Sequence, residues 1–458
     1  MATRTAGMDD EVRGDGVQGQ GEPEHEESTT DPREEVQRID ALIDQIPNRA
    51  LREHVRKVLR EFQQLVVERR VPRLAVVGRR GAGKSSLINA IMGSQVREVG
   101  TTRSMTKKAV WTTVRGSSGV DLELLDTRGF QEGADAESGT AAEAPPLGED
   151  EALIELRSLF QQEPPDVVLF LVKAKEADAA IQRDLQALQE VVASVRSGTH
   201  LVPLIGLVTQ CDEMDPKRSP LKTRDTAASD GERLKAQRVE EVVQMVRGRL
   251  DAVEGVEIVD VMGVSSYVEW SEGGDTMTYD ERWNIDRLAA LIFQHLPDQA
   301  LYEWVRATRV QALRLKVARR LVWVTAGIAA GVGTIPIPVP LVHTGALTAL
   351  QAMMVVFIAK LRGADFGTRA YMELLTALGL NVAAGLVARE TFRLLASVVP
   401  FLGNVISGGI AYVVTRALGD AAILYFLQDE RDPTVLRAAF HASALKAKRD
   451  ADEDPNLA

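Results

Sequence analysis

"RLAVVGRRGAGKSSLINAIMG" spans residues 73–93, and its reading decides the fold. Leu74–Val77 is a short β-branched run that reads as a strand. A glycine-rich turn follows, and the apolar spacing over 85–93 predicts a helix opening in Lys-Ser-Ser. Gly78-Arg-Arg-Gly-Ala-Gly83-Lys84-Ser85 fits G-x-x-x-x-G-K-[ST]. Glycines at this spacing let the backbone fold its N–H groups around a phosphate, and the helix N-terminus adds its dipole. Lys84 supplies a cation to the β/γ oxygens and Ser85 a hydroxyl to Mg²⁺. Gly78, Gly81, Ala82, Gly83, Lys84, Ser85 and Ser86 are the candidate cradle.

Further along, apolar runs alternate with helical patterns. Ala109–Val114, Val120–Leu125, Val167–Val172, Val202–Val208 and Ile258–Val264 read as strands. Helices are expected at 85–93, 149–161, 176–195, 230–252 and 284–296. That order predicts an α/β domain over 72–297, a mostly parallel sheet with helices on both faces. Two segments, 131–150 and 213–230, read as long loops.

"VDLELLDTRGF" ends a strand at Asp126, with Gly129 three residues on. An Asp there can hold the Mg²⁺ shell, and the Gly129 amide can bond a γ-phosphate. Between this segment and the cradle, "VGTTRSMTKKAVW" reads as a switch loop. Thr102 is the residue expected to reach Mg²⁺ and the γ-phosphate, with Thr106 and Thr101 as alternatives. Lys84 and Thr102 are the candidate catalytic groups; Ser85, Thr102 and Asp126 are the candidate metal ligands. In "LIGLVTQCDEMD", Asp212 can accept from both N1–H and the exocyclic amine of guanine, a pair adenine lacks. Thr209 sits at the head of that motif. In "VMGVSSYV", Ser265 and Ser266 follow the last strand, where a backbone amide would meet guanine O6.

The order G-x-x-x-x-G-K-S, T-T-R, D-x-x-G, T-x-x-D resembles the translation-factor-related class of P-loop GTPases. "GRRGAGKSSLINAIMG…GTTRS…DTRGF" is most similar to its Era/MnmE-type branch, with dynamin-like GTPases further off. The resemblance covers about residues 72–297. It implies GTP/GDP and Mg²⁺ as ligands, hydrolysis of GTP, and switching on hydrolysis. Three positions depart from the family pattern. The usual Asn-Lys-x-Asp is Thr209-Gln210-Cys211-Asp212, which removes the aliphatic stem that packs on the base. Gly81 stands where the MnmE-type loop has an Asn that helps hold an activating K⁺. Phe130 follows Gly129 where Ras-like proteins have a water-orienting Gln, so the implied hydrolysis is slow without a group from an activating protein or a second copy.

The chain has 458 residues, 45% of them hydrophobic, and a net charge of −11. Residues 1–34 carry ten acids against three arginines. They read as a disordered tail with no secretory-signal pattern. Residues 35–71 read as helices broken at Pro47 that pack on the next domain. One cysteine, Cys211, excludes an internal disulfide framework.

Past Pro297 the character changes. Residues 298–449 hold seventeen Lys and Arg against nine acids. Leu321–Ala359 and Leu394–Thr415 contain no Asp, Glu, Lys or Arg. "IPIPVP" (335–340) splits the first run into arms of 14 and 19 residues. The arms fit a re-entrant or shallow membrane hairpin flanked by Arg319/Arg320 and Lys360/Arg362, or the buried helices of an all-α, Ala/Gly-rich domain. Gly327 and Gly331 have the spacing of close helix packing. Residues 321–426 resemble YcjF-like predicted inner-membrane proteins, which implies membrane association at the cytoplasmic face. The expected organisation is therefore a helical, membrane-associated domain over 298–445 and a charged tail over 446–458. No nucleic acid is indicated as a partner. The rival expectations are a non-hydrolysing scaffold and a dynamin-like remodeller.

Overall fold

The computed structural model describes residues 31–79, 81–104, 110–116, 119–126, 164–178, 201–221, 229–253, 257–272, 276–308, 310–335, 340–363, 369–379 and 408–453, and four single residues between 181 and 189. A seven-stranded sheet forms its centre, in the order β2-β3-β4-β1-β5-β6-β7. The strands are β1 (Arg73–Val77), β2 (Arg97–Ser104), β3 (Val110–Arg115), β4 (Asp121–Asp126), β5 (Val167–Lys173), β6 (Pro203–Thr209) and β7 (Glu257–Gly263). β1 runs parallel to both β4 and β5, and β5, β6 and β7 are parallel neighbours. Only β3 runs against its neighbours. Val167–Val172 is buried along its whole length. That is the signature of a central parallel strand covered on both faces.

Alternation along the strands divides the core in two. Leu74, Val76, Leu169 and Leu171 face the helices α3 (Lys84–Met92) and α5 (Ile285–His295). Ala75, Val77, Val168 and Phe170 face the opposite side, with α4 (Asp230–Leu250). Ser229 and Glu232 open α4 with a reciprocal capping box: the Ser229 N–H donates to Glu232 Oε2 at 2.7 Å, and the Glu232 N–H to Ser229 Oγ at 3.3 Å. One sequence expectation changes here. The segment expected as a switch loop is in part strand, because Gly100–Ser104 pairs antiparallel with β3. A small hairpin, β8 (Val268–Trp270) and β9 (Met277–Asp280), follows β7 in a stretch where no element was expected.

The remaining helices form one bundle. α1 (Pro32–Ile43) starts inside the expected acidic tail, because Asp31 caps it by accepting from the Arg33 N–H at 2.9 Å. α2 (Arg49–Phe62) is capped by Asn48. α6 (Asp298–Thr308) follows α5, and α7 (Gln311–Gly333) and α8 (Pro340–Lys360) flank the Pro-rich break. α9 (Arg369–Ala377), α10 (Gly408–Ala422) and α11 (Pro433–Glu453) complete the bundle.

The N-terminal pair does not dock on the sheet domain as expected. α1 and α2 pack on α7 and α8. The Gly327/Gly331 spacing supplies the reason. Val58 lies 3.4 Å from the space above Gly327, and Val55 already fills the space above Gly331. A Cβ at Gly331 would overlap Val55, so Gly331→Leu should cost about 1–3 kcal/mol, read as a lowered Tm. Gly248, on α4, has nothing near its missing Cβ. Gly248→Ala should instead stabilise by about 0.4–1 kcal/mol, and the opposite signs are the check.

The uncharged run of α7 is interior except at Trp323, which is 45% exposed. Val322, Val324, Ala326 and Ile328 are fully buried. Gln351 on α8 donates to Thr415 Oγ1 on α10 at 3.0 Å inside the bundle. Two of the arginines expected to flank a membrane hairpin, Arg320 and Arg362, are engaged within the protein. Arg320 bonds Glu61 at 2.6 Å and both oxygens of Asp298 at 2.8 and 2.7 Å. Arg362 bonds Asp429 at 2.8 Å. Among the described residues, Gly408–Leu427 is the one helix long and apolar enough to cross a bilayer, and it is largely buried.

The two parts share one continuous apolar core. Polar ties reinforce the join. Arg70 grips Asp166 through both carboxylate oxygens, at 2.9 and 2.5 Å, and Asp166 also accepts the Arg73 N–H at the start of β1. These bonds raise the Arg70 guanidinium above its usual range. Trp304 is buried, and its indole N–H donates to the Ala289 carbonyl at 3.0 Å.

Candidate nucleotide-binding site

The cradle lies at the carboxyl end of β1, the edge where open α/β sheets bind ligands. Gly78 leaves β1 against β5. A Cβ there would stand 2.8 Å from the Leu171 carbonyl oxygen, so no side chain fits. Gly83 takes the left-handed conformation, φ +86°, which turns the chain into α3. Ser85 and Ser86 stand on the first turn of that helix, Ser86 exposed. The Lys84 ammonium crosses the turn and donates to the Gly78 carbonyl and, at 3.2 Å, to that of Arg79. Its charge is thus aimed at the loop interior. Arg79 is drawn the other way, to Glu176, which Lys173 also contacts at 3.0 Å.

The fourth motif and the Ser265-Ser266 stretch close on the cradle from β6 and β7. The Thr209 hydroxyl is buried and donates to the Ala82 carbonyl at 2.8 Å. Thr209 therefore ties β6 to the phosphate loop and does not line the cleft. Gln210, at φ +58°, donates through Nε2 to the Gly81 carbonyl at 2.9 Å. The residue that departs from the family pattern is thus a second clasp on the same loop. Asp212 follows, held by two neighbours. Ser265 Oγ donates to Asp212 Oδ1 at 2.8 Å. The Lys235 ammonium, almost fully buried, donates to the Asp212 carbonyl at 2.6 Å and the Ser219 carbonyl at 3.0 Å.

Ser265 takes a different part from the one expected. It is completely buried, and its amide donates to the Trp283 carbonyl at 3.1 Å. Ser265 therefore positions Asp212 and offers no amide to a base. Ser266 lines the cleft, with Gly83, Ser86 and Asp212. The cleft has a volume of about 420 Å³. Its other wall was not read from the sequence: Tyr267, Val268 and Trp270 of the hairpin. The available signal was the aromatic content of "SSYVEW" directly after the last strand.

Cys211 is fully buried beside this motif, and its Sγ–H donates to the Val208 carbonyl at 3.1 Å. Burial pushes its thiol up to about 12 from 9.0. Near neutral pH its thiolate population should be lower than that of an exposed thiol by about a thousandfold. The folded chain should not react with a disulfide reagent until it unfolds, and thiol release along a denaturant series checks this.

Asp126 closes β4 opposite Val76 of β1, so its backbone stands at the same sheet edge as the cradle. Thr102 lies at a register irregularity of β2, between Thr101 and Arg103. The side chains of Asp126 and Thr102 lie outside the described residues, as do Gly129, Phe130, Thr106 and the helix expected over 149–161.

A phosphate loop closing β1, an Asp-bearing β6 motif and the intervening β3–β4 hairpin define a P-loop GTPase domain. Residues 73–205 match the 50S ribosome-binding GTPase family. They are Era/MnmE-like, and the chain is 30% identical over 166 residues to the tRNA modification GTPase MnmE of Hydrogenovibrio crunogenus. That alignment covers 35% of the chain and 32% of the relative, so the chain spans about a third of that protein's length. Two solved structures are also similar. A point variant of Aquifex aeolicus Era bound to GDP·AlF4⁻ is 20% identical, with a TM-score of 0.28, over 56% of this chain and 66% of that one. Era in complex with MgGDPNP and nucleotides 1506–1542 of 16S ribosomal RNA is 18% identical, with a TM-score of 0.29, over 56% and 68%.

Proposed function

We propose that the chain binds GTP with Mg²⁺, hydrolyses it to GDP and phosphate, and works as a nucleotide switch whose helical bundle is the responding part. The observation that carries this reading is the convergence of Lys84, Ser85, Thr209 and Asp212 on one edge of the sheet. The residues fit a nucleotide. The Gly78 position admits no side chain, and a helix N-terminus with two hydroxyls faces the loop. Ser85, Asp126 and Thr102 would hold the Mg²⁺, which supplies charge neutralisation between the terminal phosphates when bound. Lys84 binds and orients the phosphate tail. Asp212, held by Ser265, reads the base edge.

Steady-state phosphate release at several protein concentrations tests turnover. Expected is a slow rate that rises with protein concentration or with an activating partner. GDP but not ADP should displace a labelled guanine nucleotide. No phosphate release under any condition would leave a non-hydrolysing scaffold.

We further propose that the bundle acts at the cytoplasmic face of the membrane. The uncharged runs and the basic excess over 298–449 support that reading. A second reading, a bundle that answers to protein partners alone, is favoured by the burial of α7 and the internal Gln351–Thr415 bond. Flotation of the full chain with anionic vesicles, with and without GTP, separates them. Failure to float in either state removes the membrane.

A further inference from the structure

The family pattern places an aliphatic Lys stem where this chain has Gln210, and Gln210 is committed to the Gly81 carbonyl. We propose that the planar face of the base is held instead by an aromatic wall, Tyr267 and Trp270, carried on the β8–β9 hairpin. The inference rests on the guanine-nucleotide reading above and names the residues that hold the base.

Tyr267 and Trp270 both line the cleft that Asp212 and Ser266 line. One hydroxyl links the wall to the base reader. Ser265 Oγ donates to Asp212 Oδ1 at 2.8 Å and accepts the Tyr267 N–H at 3.4 Å. Tyr267 is 45% exposed, yet its ring is held at both ends. Its hydroxyl donates to Glu269 Oε1 at 2.7 Å, and the ring meets Tyr279 edge to face at 5.9 Å. An exposed aromatic fixed in this way offers a stacking surface whose rotamer entropy is already spent.

The hairpin is anchored to the helix that begins at the cradle. Arg282 donates to the Ala90 carbonyl near the end of α3 at 2.9 Å and pairs with Asp280 of β9 at 2.7 Å. Met277 packs over Gly93, where α3 stops. Phosphate cradle, base reader and aromatic wall are therefore linked to one another by direct contacts.

Stacking on an aromatic side chain changes base affinity by roughly 5- to 150-fold per ring in alanine substitutions. Tyr267→Ala and Trp270→Ala should each weaken GDP binding by about tenfold. Tyr267→Phe keeps the ring and should bind within about twofold of the parent. Inorganic pyrophosphate has no base, so its competition for the site should be unchanged in every variant. GDP should also quench indole emission in the parent, and Trp270→Phe should remove most of that quench. The proposal is overturned if both alanine variants hold GDP as tightly as the parent while Asp212→Asn weakens it. Loss of pyrophosphate along with GDP counts against it equally, because the effect then lies in the cradle. A parent chain that binds pyrophosphate but no guanine nucleotide sinks the nucleotide reading itself, a distinct result.

Discussion

Lys84→Ala should raise the Kd for both GDP and GTP by about a hundredfold, to the limit of calorimetric detection. Hydrogen bonds to charged groups contribute roughly 1.5–3 kcal/mol each. The ammonium is the positive side chain aimed into the turn. It also braces that turn through the carbonyls of Gly78 and Arg79. Alanine removes the charge and the brace together. Lys84→Arg should not rescue, because a planar fork cannot replace a point charge inside a backbone loop. The domain itself should survive, since the apolar packing of α3 runs through Leu87, Ile88 and Ile91. Binding within about threefold of the parent, where a lost charged bond predicts far more, would show that the phosphate tail sits elsewhere.

The second large effect is a change of base. Asp212→Asn should weaken GDP about a hundredfold and turn preference toward a xanthine nucleotide. A carboxylate accepts from both N–H groups of guanine, whereas an amide presents one acceptor and one donor. The donor then faces the exocyclic amine of guanine, a repulsive pairing, and matches the C2 carbonyl of xanthine. The carboxyl end is well held: Ser265 Oγ donates to Oδ1, and Lys235 fixes the main chain behind it. The variant should therefore keep its geometry. Competition between GDP and xanthosine diphosphate on parent and variant reads the switch directly. Equal loss of both would mean that Asp212 supports the loop without meeting the base.

The site was partly legible in advance. The cradle was, because its chemistry is local: glycines, one lysine and one hydroxyl must stand in consecutive positions for the backbone to wrap a phosphate. Asp212 was also legible as a carboxylate set just past the end of β6, where it lines the cleft. The supporting roles were not. Thr209 reads as a member of the base motif, and only the packing of β6 against the phosphate loop shows its hydroxyl on Ala82. Ser265 reads as a base contact, and only the Trp283 bridge shows its amide already used. The hairpin carrying Tyr267 and Trp270 escaped periodicity because strands of three and four residues are too short to display it.

The order of strands along the chain, the phosphate loop and the helical character of the C-terminal third were decided by sequence alone, since each depends on near neighbours. Where the uncharged helices go was decided only by tertiary structure. Leu321–Gly333 has the same hydropathy whether it meets lipid or protein. What distinguishes the two is a partner remote in sequence: Val55 and Val58 of α2, seated on Gly331 and Gly327. Hydrophobic burial is non-directional, so composition states that a surface must be covered, and only long-range shape complementarity selects what covers it.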